Sequence, residues 1–222
     1  GWESHMFDLG LVIAFAGIVG GRLWDVFFFD WEYYHNHLLE IPYIWQGGMA
    51  IQGGIIFACI AAYFYLKKHQ IPVLPFADTV TPGIILGQAI GRIANFMNGD
   101  AFGHPTGQDF GLLYPDTTLA YHTYGAQPLW PAEVWECQGD LLIFVLLLWY
   151  GCKTRAEGTT FCLYIMFYSL LRFFLENYRG DYGTLALGLK SAQLTSLAAF
   201  AGAFILFLYF HFKHKSKSGI SE

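Results

Sequence analysis

The sequence predicts an all-α membrane protein, a polytopic bundle of six transmembrane helices. Its 222 residues are 55% hydrophobic and 19% aromatic but only 13% charged, a composition far more apolar than that of an ordinary soluble domain. The mean hydropathy is +0.39. The apolar residues are also grouped into runs near the roughly 20 residues that a helix needs to cross about 30 Å of hydrocarbon. These three observations place the chain in a lipid bilayer.

Six runs qualify as transmembrane helices, because each is long and mostly apolar and is bounded by polar or charged residues. In chain order they cover about residues 7–29, 48–66, 76–97, 133–150, 159–176 and 189–212. The stretch before the first run, GWESHMFDLG, is polar and acidic and lacks a secretory pattern. We therefore expect one integral-membrane domain over residues 1–212 and a basic cytoplasmic tail over residues 213–222.

The loop charges predict the orientation, because Lys and Arg are retained on the cytoplasmic side. The loops at 30–46 and 98–132 contain neither residue and carry acids instead, so we place them outside. Both termini then lie in the cytoplasm. The basic residues that define the inner side are Lys67, Lys68, Lys153, Arg155, Lys213, Lys215 and Lys217.

Several functional classes are disfavoured. The net charge of −5 comes mostly from acids in the outer loops, so nucleic acid is not an expected partner. The four cysteines have no CxxC or paired spacing and read as small buried hydrophobes rather than disulfides. The histidines have no metal-ligand spacing, and the chain contains no GxSxG, HExxH or P-loop motif, so we expect neither a metal nor a cofactor.

The third predicted helix ends in a polar segment, GRIANFMNGDAFG, that forms the first candidate site. Arg92 and Asn95 are three residues apart and share a helix face. They gather a fixed cation and hydrogen-bonding groups at the level of the lipid headgroups; the alternative is an arginine that merely snorkels to the interface. Glycines at positions 83, 87 and 91 predict a close helix-packing face. The segment continues with Asn98, Asp100 and Gly103.

The fifth predicted helix carries a second set of charges in YSLLRFFLENYRGD. Arg172, Glu176 and Arg179 follow at spacings of four and three, so one face reads plus, minus, plus. A structural ion pair between helices is one explanation. The other is that Arg172 and Arg179 join Arg92 around a phosphate, which guanidinium groups hold in bidentate geometry.

Three further polar features lie near helix ends. The segment IWQGGMAIQGG contains two glycine pairs that let a bulky substrate or another helix come close, with Gln46 and Gln52 available for hydrogen bonds. Glu136 lies near the outer end of the fourth helix, where it could orient an arginine. Arg22 is a charge within the first helix and therefore needs a partner or a function.

GRIANFMNGDAFG resembles the signature of the prolipoprotein diacylglyceryl transferase family. The order of the other motifs agrees: a GGR at residues 20–22, GGMAIQGG, a P-x-x-x-x-E ending at Glu136, RFFLE-x-x-R over residues 172–179, and SAQLTS over residues 191–196. Together these motifs cover essentially the whole chain. The resemblance implies an enzyme of the bacterial cytoplasmic membrane with no cofactor, whose site faces the outer side.

The resemblance also implies a reaction and a set of site residues. The family moves the diacylglyceryl group of phosphatidylglycerol onto the thiol of the lipobox cysteine of a preprolipoprotein, and glycerol phosphate leaves. Phosphatidylglycerol binding falls to Arg92, Asn95, Asn98, Asp100, Gly103 and Arg179. The catalytic set is Arg172, Glu176 and Gln52, supported by Glu136 and Arg22.

The sequence departs from the family pattern at several positions. Gln52 stands where many members have the histidine of an HGG motif, so a histidine base is not available there. Asp100, Ala94, Trp130 and Ala192 replace the glutamate, glycine, histidine and glycine of the family motifs. The family also has a seventh, N-terminal span, and this chain is expected to begin after it.

We expect Arg92 to hold the departing phosphate and Arg172, oriented by Glu176, to favour the acceptor thiolate. Two alternatives remain at this stage. One is a small transporter whose intramembrane arginines line an anion path, although these charges cluster at one interface rather than at the midplane. The other is a non-catalytic lipid-binding fragment.

Overall fold

The computed structural model describes residues 3–152, 156–180, 184–186 and 188–218. Lys153 and Arg155, which helped to predict the orientation, lie outside these residues. The chain forms eight α-helices among them and divides into two compact units, Gly1–Val73 and Leu74–Glu222.

The first unit is a helical hairpin with an ordered connection. Helix α1 (Glu3–Trp24) continues into a π-helical turn (Asp25–Phe29), and the short α2 (Trp31–Tyr34) follows. Two 3₁₀ turns (Leu38–Glu40 and Ile44–Gln46) lead to α3 (Ile51–Lys68).

Glycines let α1 and α3 pack closely. A Cβ added at Gly20 would lie 2.6 Å from the carbonyl oxygen of Gly53, and one added at Gly53 would lie 2.2 Å from that of Gly20. Gly17 and Gly54 face each other at a slightly greater distance. The GG pair in α1 and the second glycine pair of the QGG segment therefore bring two backbones together.

The second unit contains four long helices: α4 (Val73–Asn98), α6 (Ala132–Gly151), α7 (Thr159–Leu175) and α8 (Ser191–Ser218). The short α5 (Leu119–Tyr124) lies in the loop after α4. A 3₁₀ turn (Glu176–Tyr178) and the antiparallel strands β1 (Thr184–Ala186) and β2 (Leu189–Lys190) connect α7 to α8. The apolar core contains Ile85 of α4 and Ile143 and Leu147 of α6, and partly buried residues of α7 pack on it.

Two contacts fix how α7 packs on its neighbours. Asp78 of α4 is buried, and its carboxylate accepts hydrogen bonds from the backbone N–H groups of Gly158 (2.7 Å) and Phe161 (2.9 Å). It thus satisfies donors at the N-terminus of α7, which would otherwise lack intrahelical partners. Gln193, near the start of α8, donates to the carbonyl oxygen of Phe173 near the end of α7, so α7 and α8 run in opposite directions.

The long helices coincide with the six predicted spans. Four stretches of the described residues are long and apolar enough to cross a membrane: Ser4–Phe29, Val73–Asn98, Thr159–Tyr178 and Ser191–Lys215. The all-α membrane class is therefore confirmed. The other two predicted spans form α3 and α6, which carry two lysines and three acids respectively, and their crossing stays a prediction.

The prediction that the glycines of α4 form a close helix-packing face is wrong for the residues that the structure describes. A Cβ added at Gly83, Gly87 or Gly91 would meet no atom within 4 Å. Close helix packing occurs instead at Gly20 and Gly53, where the glycines of α1 and α3 face each other. Spacing of glycines on one helix does not identify a partner.

Candidate functional site

The site in the second unit is centred on Glu136. Glu133, Glu136 and Asp140 share one face of α6 and are fully buried, since residues three and four apart on a helix are neighbours. Glu136 contacts arginines from two other helices and a loop. Its Oε1 lies 2.9 Å from Nη2 of Arg92, and its Oε2 lies 3.3 Å from Nη1 of Arg172 and 3.5 Å from Nη1 of Arg179.

A second carboxylate extends this arginine cluster. Glu176 lies 2.9 Å from Nη2 of Arg172, the i,i+4 pair that the sequence predicted. Lys190 of β2 lies 3.7 Å from Glu176, and its ammonium group donates to the carbonyl oxygens of Glu176 (2.8 Å) and Arg179 (2.6 Å). Four cations therefore surround Glu136 and Glu176.

The end of α4 holds Arg92 through a short chain of side chains. Nη1 of Arg92 donates to Oδ1 of Asn95 at 3.1 Å, and the amide nitrogen of Asn95 donates to Asp100. The backbone N–H of Asp100 returns a hydrogen bond to the carbonyl oxygen of Asn95 at 3.1 Å. Asn98 is exposed, and its side chain makes no hydrogen bond among the described residues.

Gly103 joins the loop after α4 to the segment that carries Arg179. The two residues form an antiparallel bridge, flanked by a hydrogen bond from the N–H of His104 to the carbonyl oxygen of Tyr178 at 2.9 Å. A Cβ on Gly103 would lie 2.2 Å from the carbonyl oxygen of Trp130. Only glycine therefore fits at position 103, where the loop after α4 pairs with the segment that carries Arg179.

The cluster is open enough to receive an anion. The side chains of Arg92 and Arg172 are 21% and 15% exposed, whereas that of Glu136 is fully buried. The two carboxylates Glu136 and Glu176 are outnumbered by the four cations around them, and each guanidinium carries five N–H donors. Arg92 and Arg172 thus offer donors at the edge of the cluster, in the fork geometry that matches a phosphate.

Arg22 and Gln52 lie in the first unit. Arg22 is 3% exposed, and it donates to backbone carbonyl oxygens of the loop between α2 and α3. Its role there is to satisfy loop carbonyls. Gln52 is exposed, and its side chain makes no hydrogen bond within the described part of the chain. The acceptors of Arg22 are the carbonyl oxygens of Glu40, Ile41, Tyr43, Gly47 and Gly48.

Sequence reasoning missed four residues at the arginine cluster. Tyr168 donates to Oε1 of Glu136 at 3.2 Å, and Lys190 is the fourth cation of the cluster. Glu133 and Asp140 are buried with no hydrogen-bond partner among the described residues. Their spacing of three and four around Glu136 in an apolar helix is a sequence signal that could have identified the acidic face; Lys190, in a short strand, gave none.

Comparisons with known proteins agree with this architecture. Residues 1–209 match the family described as prolipoprotein diacylglyceryl transferase. A phosphatidylglycerol–prolipoprotein diacylglyceryl transferase of Geobacillus kaustophilus is 38% identical over 192 residues, which are 86% of this chain and 71% of that protein. The Clostridioides difficile protein of the same name is 35% identical over 221 residues, 99% of this chain and 83% of that protein.

Fold and site together define a membrane-embedded helical protein with a buried arginine cluster. The chain belongs to the prolipoprotein diacylglyceryl transferase family.

Proposed function

We propose that this chain transfers the diacylglyceryl group of phosphatidylglycerol to the lipobox cysteine thiol of a preprolipoprotein, the first step of lipoprotein maturation. The single observation that carries the proposal beyond family membership is the gathering of Arg92, Arg172 and Arg179 around Glu136. A phosphate is the substrate group that such an array suits best.

In this proposal the exposed donors of Arg92 and Arg172 hold the phosphate of the lipid. Charge develops on the phosphate as the bond to glycerol C3 breaks. Donors that are already fixed in place stabilise that charge without reorganising, and removing one such donor typically costs about 2.7–4 kcal/mol of transition-state stabilisation. Glu136, Asn95 and Glu176 fix the guanidinium groups through the contacts described above.

The acceptor sulfur attacks C3 of the glyceryl group. A carbon–sulfur bond forms, the carbon–oxygen bond to phosphate breaks, and glycerol phosphate leaves; the proton of the thiol balances the charge of the departing phosphate. A nearby cation lowers the pKa of a thiol from about 8.5. Arg172 serves this purpose without a histidine at position 52.

The proposal places the cluster near the outer face of the bacterial cytoplasmic membrane. Lys67 and Lys68 end α3 and Lys213 lies in the C-terminal part of α8, whereas the loops at 30–46 and 98–132 contain neither Lys nor Arg. This distribution supports six crossings with a cytoplasmic C-terminus. Phosphatidylglycerol, surrounding membrane lipid and the signal peptide of a preprolipoprotein would be the partners there.

A vesicle assay tests the proposal. The purified chain is reconstituted with phosphatidylglycerol and a labelled lipobox peptide, and mass spectrometry follows the peptide cysteine. A gain of one diacylglyceryl group is the expected result. A chain that binds lipid or moves anions across the vesicle membrane without modifying the peptide would contradict the proposed transfer.

The Arg92→Lys variant tests the phosphate role. Lysine keeps the charge but loses the bidentate fork, so we expect transfer to fall about 100-fold or more while the protein still inserts into membranes. Arg155→Lys makes the same chemical change in the predicted cytoplasmic loop after α6 and should retain transfer. Wild-type rates for Arg92→Lys would remove Arg92 from the phosphate site.

A further inference from the structure

A groove runs along the helices α7 and α8 and begins at the arginine cluster. Its volume is about 340 Å³, and Arg172 lines it together with two serines, Ser169 and Ser196, and the smaller or apolar residues Ile165 and Ala199. Because α7 and α8 run in opposite directions, Arg172 lies at one end of the groove and Ile165 and Ala199 lie at the other.

Two hydroxyl groups in this groove have no partner. Ser169 is 5% exposed and Ser196 is 7% exposed, and both line the groove from facing helices. Neither hydroxyl group has a hydrogen bond to any residue that the structure describes. Both hydroxyl oxygens are accessible from the groove, so each can donate a hydrogen bond to a ligand that carries acceptors.

The other hydroxyls of the groove are already engaged. Tyr164 donates to Gln88 at 3.0 Å, and Tyr168 donates to Glu136 at 3.2 Å. Thr195 donates to the carbonyl oxygens of its own helix at residues 191 and 192. Among the hydroxyl groups that line the groove in the described part of the chain, only those of Ser169 and Ser196 therefore remain free to bind a ligand.

The size of the groove selects the kind of occupant. At roughly 30 Å³ for each water-sized group, the groove holds about eleven such groups, which suits a glyceryl ester with the first part of one acyl chain. The cationic Arg172 at one end of the groove and the apolar residues at the other match the phosphate and the acyl chain of a lipid, so we take a lipid as the occupant.

The spacing along α7 matches the chemistry of a phospholipid. Ser169 lies three residues from Arg172, which is a rise of about 4.5 Å along the helix. In a diacyl phospholipid the phosphate is on C3 of glycerol and the two esters are on C2 and C1, so the ester carbonyls lie only a few bonds from the phosphate. A phosphate at Arg172 would place them level with the serines.

We propose that the groove between α7 and α8 binds the diacylglyceryl part of the lipid donor, and that Ser169 and Ser196 recognise its ester carbonyl groups. Charge complementarity at Arg172 places the phosphate at the outer end, and the apolar end receives an acyl chain. This inference rests on the proposed transferase function. Its specific consequence is that the protein discriminates ester-linked from ether-linked phosphatidylglycerol, which differ only in these carbonyls.

The test compares the two lipids in binding and in transfer. Native mass spectrometry measures competition between diester and diether phosphatidylglycerol for the wild-type protein and for Ser169→Ala, Ser196→Ala and the double variant. We expect the wild type to prefer the diester, and each alanine to reduce that preference by about five-fold, as for the loss of one hydrogen bond. The vesicle assay should give the same ratios in transfer rate.

Thr195→Val is the matched control, because it removes a hydroxyl from the same groove that already has a partner; it should keep the wild-type preference. Equal capture of both lipids by the wild type, or equal losses for both lipids in the serine variants, would overturn the inference. Weakened capture of the acceptor peptide with an unchanged lipid preference would assign the groove to the peptide and overturn it as well. A lipid preference without peptide modification would instead contradict only the proposed transfer.

Discussion

At the scale of single residues, Glu136 determines how the charges of the second unit are arranged. Three guanidinium groups come within 3.5 Å of its two oxygens. Without it, Arg92 and Arg179 would lose this carboxylate, and Arg172 would keep only its ion pair with Glu176. Removing one partner from a buried ion pair typically costs about 3–5 kcal/mol, because the remaining charge is left uncompensated.

The Glu136→Gln variant should therefore lose both stability and activity. The amide keeps the shape of the side chain but carries no negative charge, and its NH2 group takes the place of one of the two oxygens that contact the arginines. We expect a lower thermal midpoint of the detergent-solubilised protein and at least a ten-fold loss of transfer. Thermal unfolding and the vesicle assay measure the two effects.

Glu133→Gln is the matched control for this prediction. It makes the same change one turn away on the same helix, at a carboxyl group with no hydrogen-bond partner among the described residues. Replacing an unpaired buried carboxyl with a neutral amide should leave stability unchanged or raise it. Equal destabilisation by the two variants would show that Glu136 does not hold the arginines together.

Residues in this site differ in how far the sequence could predict them. Arg92, Arg172 and Glu176 stand out because charges are rare in apolar helices, and the Arg172–Glu176 contact depends only on helical spacing. The choice of Glu136 as their common partner depends on how α4, α6 and α7 rotate against one another, which no local pattern encodes. Arg22 stands out in the sequence for the same reason as Arg92, because both are charges in apolar helices. In the structure, however, its hydrogen-bond acceptors are backbone carbonyl oxygens of a loop.

At the scale of helices, packing is decided by which surfaces meet rather than by which residues are small. Gly53 of α3 faces Gly20 of α1 across a distance that admits no side chain. Gly87 of α4 meets no described atom within 4 Å of an added Cβ. The sequence marks both positions as glycines in apolar helices, and only the tertiary structure distinguishes them.

Gly53→Ala and Gly87→Ala should therefore have opposite effects. An alanine at position 53 would place its Cβ 2.2 Å from the carbonyl oxygen of Gly20, so the backbones of α1 and α3 must separate. An alanine at position 87 should be neutral or stabilise the helix by up to about 1 kcal/mol. We expect a fall of several degrees in thermal midpoint for the first variant only; equal midpoints would contradict the glycine contact.

At the scale of the whole molecule, α6 is the helix whose membrane crossing needs the most explanation. It carries Glu133, Glu136 and Asp140 within its first nine residues. All three are fully buried within the protein, so none of these carboxyl groups contacts lipid. If α6 crosses as predicted, burial against protein with arginines as partners of Glu136 would let a helix with three acids span a bilayer that would exclude it alone.

Cysteine labelling of positions that flank α6 tests this crossing. Cys59, Cys137, Cys152 and Cys162 are all free, and replacing them with alanine should preserve transfer, because the reacting sulfur belongs to the acceptor peptide. Thr117→Cys and Glu157→Cys then introduce single exposed cysteines before and after α6. Neither change removes a Lys or Arg that sets orientation.

A membrane-impermeant maleimide added to intact cells should label position 117 at once. It should label position 157 only after the membrane is opened, because the two positions lie on opposite sides if α6 crosses. Labelling of both cysteines from outside, or of neither, would place both ends of α6 on one side of the membrane. The arginines of α4 and α7 would then have to contact Glu136 on a helix that lies at the membrane surface. The buried cluster could not form in that arrangement.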